Sequence, residues 1–492
     1  MDIDREKQLL QTMEEVIAAG PYSPSWDSLM EAPVPRWFHQ RKLGIFIHWG
    51  VYSVPAKFNE WYSRNMYIKD SAEYQHHIAT YGPHDQFGYK DFIPMFRAER
   101  FDANEWVALF KNAGAGYMFP VAEHHDGFQM YKSELSEWNA AQMGPKRDVL
   151  GELKAAAEEK DLVFCTSSHR AEHWFFMGHG KHYPSDVKDP MVKGDFYWPA
   201  MPEREPFDKF SEPAPTEEYL NDWLARTAEI ILNYKPKLLY FDWWIQHSAF
   251  KPYLLKLAAF YYNCGKQWGE DVYICYKHDA MMFGSGIVEV ERGSLADAKP
   301  YPWQTDTAVA RNSWCYTDSL IYKSSSEVIC TLVDVVSKGG NLLLNIGPKA
   351  DGTIPAGDRK ILEELGAWMA VNGEAINGAK CWRKFAEGPT AAAEGQFQDK
   401  AELSYTSQDY RFTVGNGAIY AICMRCPEDG RFTVRSLNTA ADHNLPEFQG
   451  IIRDVELLDH GAVTWQADAE GLHVFAENFL ADGPVVLKVS IA

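Results

Sequence analysis

The 492-residue sequence has no run approaching the roughly 18 consecutive apolar residues of a membrane-spanning helix. Its opening, MDIDREKQLLQTMEE, is acidic and lacks the apolar centre of a secretory leader. A soluble, cytoplasmic protein is the expectation. Positive charge is scarce too: 48 Lys and Arg stand against 68 Asp and Glu, a formal charge of −20. Nucleic acid and anionic membrane surfaces need a cationic footprint, so neither is expected as a partner and a neutral ligand fits better. The eight cysteines are scattered, with only Cys423 and Cys426 close together. That pattern argues against both a disulfide scaffold and a zinc ribbon. No G-x-G-x-x-G follows the first apolar run, which removes the support for a dinucleotide fold. Neither H-x-H nor H-E-x-x-H occurs, and adjacent histidines on a strand face opposite ways. A metal-dependent hydrolase built on His48, His124 and His125 therefore lacks its chelating pattern, and neither a metal nor another cofactor is expected.

Aromatic residues are abundant. The 17 Trp and 25 Tyr exceed what packing alone asks for, and rings with a polar edge suit pockets that stack on sugar faces. At this length a large domain plus a smaller one is expected. Residues 1–36 read as a lead-in helix and a Pro-punctuated segment that pack on a domain. From there short apolar runs alternate with helical patterns over residues 37–378. The predicted strands are Leu43–His48, Tyr117–Ala122, Leu162–Thr166, Leu238–Phe241, Val272–Tyr276, Ile287–Val290, one near Trp314–Tyr316, and Asn341–Ile346. Alternation of this kind predicts an α/β fold, a (β/α)8-like TIM barrel, distorted where the helices between strands five and seven are weak. Residues 379–492 change texture to short alternating strands and read as an all-β sandwich.

A barrel builds its site at the C-terminal ends of its strands. Here the first six strands end in His48-Trp49, Glu123-His124-His125-Asp126, Ser167-Ser168-His169-Arg170, Asp242-Trp243-Trp244, Lys277-His278-Asp279, and the pair Glu289 and Glu291. Six polar or aromatic strand ends form a ring suited to a polar, neutral ligand. Taken alone, a strand-end aspartate is more often a cap or loop residue than a catalyst. Glycoside hydrolysis needs two carboxylates, about 5 to 5.5 Å apart when configuration is retained. Asp242 and one glutamate of strand six are the candidates.

Four blocks carry a wider resemblance: KLGIFIHWGVYSVPA with NEWY; GAGYMFPVAEHHDGFQMYKSELSEWNAAQMGPKRDVLGEL; YFDWW; and KGGNLLLNIGPKADGTIP. In this order, from about Trp37 to Asn377, they resemble the family twenty-nine glycoside hydrolases, the α-L-fucosidases. The resemblance implies a retaining double displacement on terminal α-L-fucosides through a covalent fucosyl-Asp intermediate, with no cofactor. It implies Asp242 as nucleophile and His48, Glu60, Trp61, His124 and His125 as ligands of the fucose hydroxyls. Tyr240 and Trp243 join them as aromatic neighbours of the nucleophile. The acid/base block, GIVEVERGSLADAKPYPWQTDT, offers Glu291, favoured because its E-R-G turn followed by a Trp is similar to one bacterial form, with Glu289 as the alternative. Many members carry an arginine after strand five, where Tyr276-Lys277-His278 stands here. A sugar-binding module without activity and a hydrolase of a related sugar are the competing readings. A homo-oligomer stays open, as does the role of the long Pro-rich insertion WPAMPEREPFDKFSEPAPT.

Overall fold

The computed structural model describes residues 3–205, 207–439, 448–458 and 460–492. Eight parallel staves close into a barrel. They are β1 (Leu43–Ile47), β2 (Tyr117–Glu123), the broken pair β3 (Val163–Phe164) and β4 (Thr166–Ser168), β5 (Leu238–Phe241), β6 (Tyr273–Tyr276), β7 (Ile287–Glu291), β8 (Trp303–Ala308) and β9 (Asn341–Ile346). Pairing of β1 with both β9 and β2 completes the ring. Continuous apolar runs such as LGIFI and LLYF suit staves covered on both faces, and both are wholly buried.

Four of the helices between staves start on side-chain caps. α1 (Ile3–Ala19) precedes the barrel and packs on two of its later helices. α2 (Ala103–Asn112) and α3 (Val149–Glu159) are capped by Asp102 and Asp148, each accepting backbone N–H bonds of the first turn. α4 (Glu217–Tyr234) follows the Thr216 cap, and α5 (Lys251–Trp268) carries Pro252 in its first turn. α6 (Ser325–Ser337) begins at the Ser324 cap, and α7 (Ala356–Asn372) closes the series. Each such cap contributes about 1 kcal/mol and fixes where a helix begins. No helix among the described residues is long and apolar enough to cross a membrane.

Two features depart from a regular barrel. No helix intervenes between β6 and β7 or between β7 and β8, the region where the sequence pattern is weak. The seventh stave is Trp303–Ala308, not the expected segment near Trp314–Tyr316, which lies in the following loop. WQTDTA reads as polar, yet all six residues are buried. Gln304 donates to Glu289 at 2.8 Å and the Thr305 hydroxyl to Val290 O at 2.6 Å. Internal hydrogen bonds make the polar stave stable inside.

Beyond the barrel come two antiparallel sheets. The larger comprises β10 (Lys380–Glu387), β11 (Tyr410–Gly415), β12 (Ala418–Cys423), β14 (Ile452–Leu457), β15 (Gly461–Ala462) and β18 (Val485–Ile491). The smaller comprises β13 (Arg431–Val434), β16 (Thr464–Ala467) and β17 (Leu472–Phe475). Phe412, Val455 and Leu487 of one meet Phe432, Leu472 and Val474 of the other in a shared core, as in a sandwich. Tyr420, Ile422 and Val486 face the other way, into the cluster that includes barrel residues. Arg411 of β11 crosses to Asp334 of α6 at 2.6 Å, and Lys338 binds the same carboxylate at 2.7 Å.

Candidate active site

A cavity of about 350 Å3 opens at the C-terminal ends of the staves. Each apolar stave ends rigidly, so the residue after it projects inward from a fixed base. His48 follows β1, His124 and His125 follow β2, His169 follows β4, Asp242 follows β5 and Lys277 follows β6. Glu291 ends β7. All seven line the cavity together with Glu60, Trp61, Tyr240 and Trp243. Glu289 does not line it. Two residues down the same stave, it is 2% exposed and bonded to Gln304 in the barrel interior.

Asp242 is held by four groups. Trp243 N and Lys277 Nζ donate to Oδ1 at 2.8 and 3.0 Å. His169 Nδ1 lies 3.1 Å and His125 Nε2 3.4 Å from Oδ2. Burial works against the charge, but Lys277, His125 and His169 overcome it and keep the Asp242 carboxyl well below the usual range. His125 is itself raised to about 10; burial opposes this, and Glu172, 3.2 Å from Nδ1, and Asp242 outweigh it. It is a fixed cation at neutral pH.

Lys277 Nζ reaches Glu291 Oε2 at 2.7 Å as well. Because one ammonium nitrogen touches both carboxylates, their nearest oxygens lie within about 6 Å, short of the ~6.5 to 9.5 Å of inverting hydrolases. Glu291 goes the opposite way from Asp242. Burial raises it to about 7, with the charges of Asp306 and Asp242 adding to the shift and Lys277 only partly offsetting them. Asp306, from the unrecognised stave, accepts the Tyr240 hydroxyl at 2.7 Å and stands 3.9 Å from Lys277. Opposed shifts on two adjacent carboxyls are what a nucleophile and an acid working side by side require.

The remaining wall is polar and preset. His48 Nδ1 is 2.6 Å from Asn345 Oδ1, and Asn345 donates on to Trp314 O. Glu60 accepts Trp314 N at 3.0 Å, and burial raises its pKa. His124 Nδ1 is buried with no partner among the described residues, an atom open to a ligand hydroxyl. Burial lowers His48 and His124 well below the usual histidine range and brings His169 to about 4, so all three rings are neutral. Their nitrogens lie within 4.8 Å of one another and could in principle hold a cation. Lys277 and cationic His125 already supply positive charge beside them, so an added ion meets repulsion.

Strand-end position identified the ring but not every member. His169 and Lys277 stand at such ends, and spacing alone did not mark them as the partners of Asp242. Glu172, Asp306 and Trp314 had no motif to flag them. Conversely, Glu123 and Arg170 form a buried ion network with Asp222 and Arg226 behind the cavity. Trp49 packs among Phe96, Phe101 and Trp106.

The family model for α-L-fucosidases matches residues 9–374. The chain belongs to the α-L-fucosidase family. Among its relatives, the rat tissue α-L-fucosidase is 32% identical over 441 residues, covering 85% of this chain and 82% of the rat protein. The human tissue α-L-fucosidase is 32% identical over 446 residues, covering 87% and 84%. The Thermotoga maritima α-fucosidase crystal structure superposes with a TM-score of 0.75 at 29% identity, covering 95% of this chain and all of that one. The same bacterial enzyme in complex with fucose also gives 0.75. This family member thus shares both the barrel and the sheets beyond it with solved fucosidases.

Proposed function

We propose that Asp242 is the nucleophile and Glu291 the acid/base of this α-L-fucosidase. The protein hydrolyses terminal α-L-fucosides with retention of configuration. The observation that carries the assignment is the Lys277 bridge between two carboxylates whose pKa values are driven apart. Asp242, ionised, forms an ester bond to C1 of fucose as the C1–O bond breaks. The Glu291 proton passes to the departing oxygen.

In the second half Glu291, now a carboxylate, takes a proton from water as that water attacks C1 and the ester bond breaks, freeing fucose and Asp242. The esterified Asp242 no longer carries a charge, so Lys277 is left to Glu291 and favours its ionised form, which is what a base requires. In this reading His48, Glu60, His124 and His125 bond the sugar hydroxyls, with Trp61, Tyr240 and Trp243 as the apolar wall. The eight free thiols, seven of them buried, support a reducing compartment such as the cytoplasm, which fractionation of the source cells tests.

A 2-fluorofucosyl reagent with a good leaving group tests the mechanism. Mass spectrometry should find the label on the peptide containing Asp242, and NMR should show retained configuration in the first product. A label elsewhere, or inversion, refutes the assignment.

A further inference from the structure

Two large apolar side chains stand exposed at the mouth of the cavity: Phe207 at 63% and Phe397 at 46%. Neither comes from a stave. Phe207 lies in the Pro-rich insertion before α4, and Phe397 lies on the connection between β10 and β11, which returns from the sandwich to the barrel rim. We propose that Phe207 and Phe397 are the two walls of a leaving-group subsite that grips the flat apolar face of a pyranose or aryl ring. The proposal rests on the roles given above to Asp242 and Glu291.

Position is the first argument. Whatever leaves C1 must depart past the group that protonates it. Phe397 N donates to Glu291 O at 2.8 Å and Gln398 N to Arg292 O at 2.7 Å, so this ring is anchored to the acid/base residue itself. Phe207 is stationed on the nucleophile's side, its centroid 5.4 Å from that of Trp243 and 6.1 Å from that of His278. His278 joins the walls, since Gln396 Nε2 approaches its Nδ1 at 3.5 Å.

Conformation is the second. Phe397 holds φ +56°, a region that non-glycine residues avoid. Backbone bonds between Ser294 and Gly395 at 2.9 and 3.3 Å, with those at 397 and 398, hold the segment there. Burying the ring is not the reason, because it stays half exposed. A backbone held in a disfavoured region to present an apolar ring to an open cavity points to a ligand. Aromatic faces bind sugar C–H faces and aryl rings alike.

The test uses the full-length protein and three substrates: a fucosyl disaccharide, a nitrophenyl α-L-fucoside and α-L-fucosyl fluoride. Fluoride offers no ring to grip, and nitrophenolate needs little protonation. For Phe397→Ala and for Phe207→Ala, kcat/KM should fall about tenfold more on both ring-bearing substrates than on the fluoride, mainly through KM. Phe397→Tyr should restore most of the loss. A loss confined to the disaccharide would mean damaged acid catalysis, and an equal loss on all three would mean general disruption. Either outcome, or no differential loss in either variant, overturns the subsite. A wild-type protein inert toward the fluoride would instead refute the fucosidase mechanism.

Discussion

With Asp242 as the proposed nucleophile, Asp242→Ala should lower turnover of an aryl fucoside about 10^4-fold or more with unchanged circular dichroism. Azide should restore slow release. As the proposed acid, Glu291 must be protonated, so kcat/KM should decline as pH rises through about 7. In Glu291→Gln that alkaline limb should disappear, with poor leaving groups slowed far more than nitrophenol. Lys277 holds down both carboxyls. Lys277→Met should therefore move both limbs of the pH profile alkaline, by about one unit or more, because Asp242 then ionises later and Glu291 keeps its proton longer. An unshifted profile would show that the bridge does not govern protonation. At this scale the sequence was legible where a motif surrounds the residue: Asp242 in YFDWW, His48 in IHWG, His124 and His125 in EHHDGF. Lys277, Glu172 and Asp306 act through contacts between staves distant in sequence, and no spacing rule reports those.

At the scale of elements, apolar staves and amphipathic helices declare themselves, which is why seven of the eight expected staves coincide with observed ones. The remaining one, β8, the seventh stave, differs for a physical reason. Its Gln304, Thr305 and Asp306 are bonded to groups from other staves, Glu289 and Val290 on β7, Tyr117 on β2 and Tyr240 on β5, so its polarity argues for a loop until the closed barrel supplies those partners. The choice between Glu289 and Glu291 had the same character. Alternation along β7 puts both on one face, and only depth separates them. Elements also couple through charge at the seam between α6 and β11. Asp334→Ala would leave Arg411 and Lys338 buried without their shared anion, and should cost about 3 to 5 kcal/mol in guanidinium unfolding.

For the whole molecule, the sandwich is more than an appendage. Its apolar outer face, with Tyr420, Ile422 and Val486, shares a core with the barrel, and its first connection supplies Phe397 to the cavity. A chain ended at residue 378 should therefore aggregate, and any soluble fraction should cleave disaccharides poorly. Size-exclusion chromatography and a disaccharide assay would show this. The sequence disclosed the change of texture after the barrel, but not the return of the 388–409 connection to the catalytic rim, because long-range docking leaves no local periodicity.

The placement of Phe207 and Phe397 on two connections, apart from the eight staves, separates inheritance of chemistry from inheritance of taste. Substitutions drifting through the insertion before α4 and the link between β10 and β11 can change which fucoside is chosen, while the residues at the stave ends stay as they are. A lineage can in this way acquire new foods without relearning how to eat.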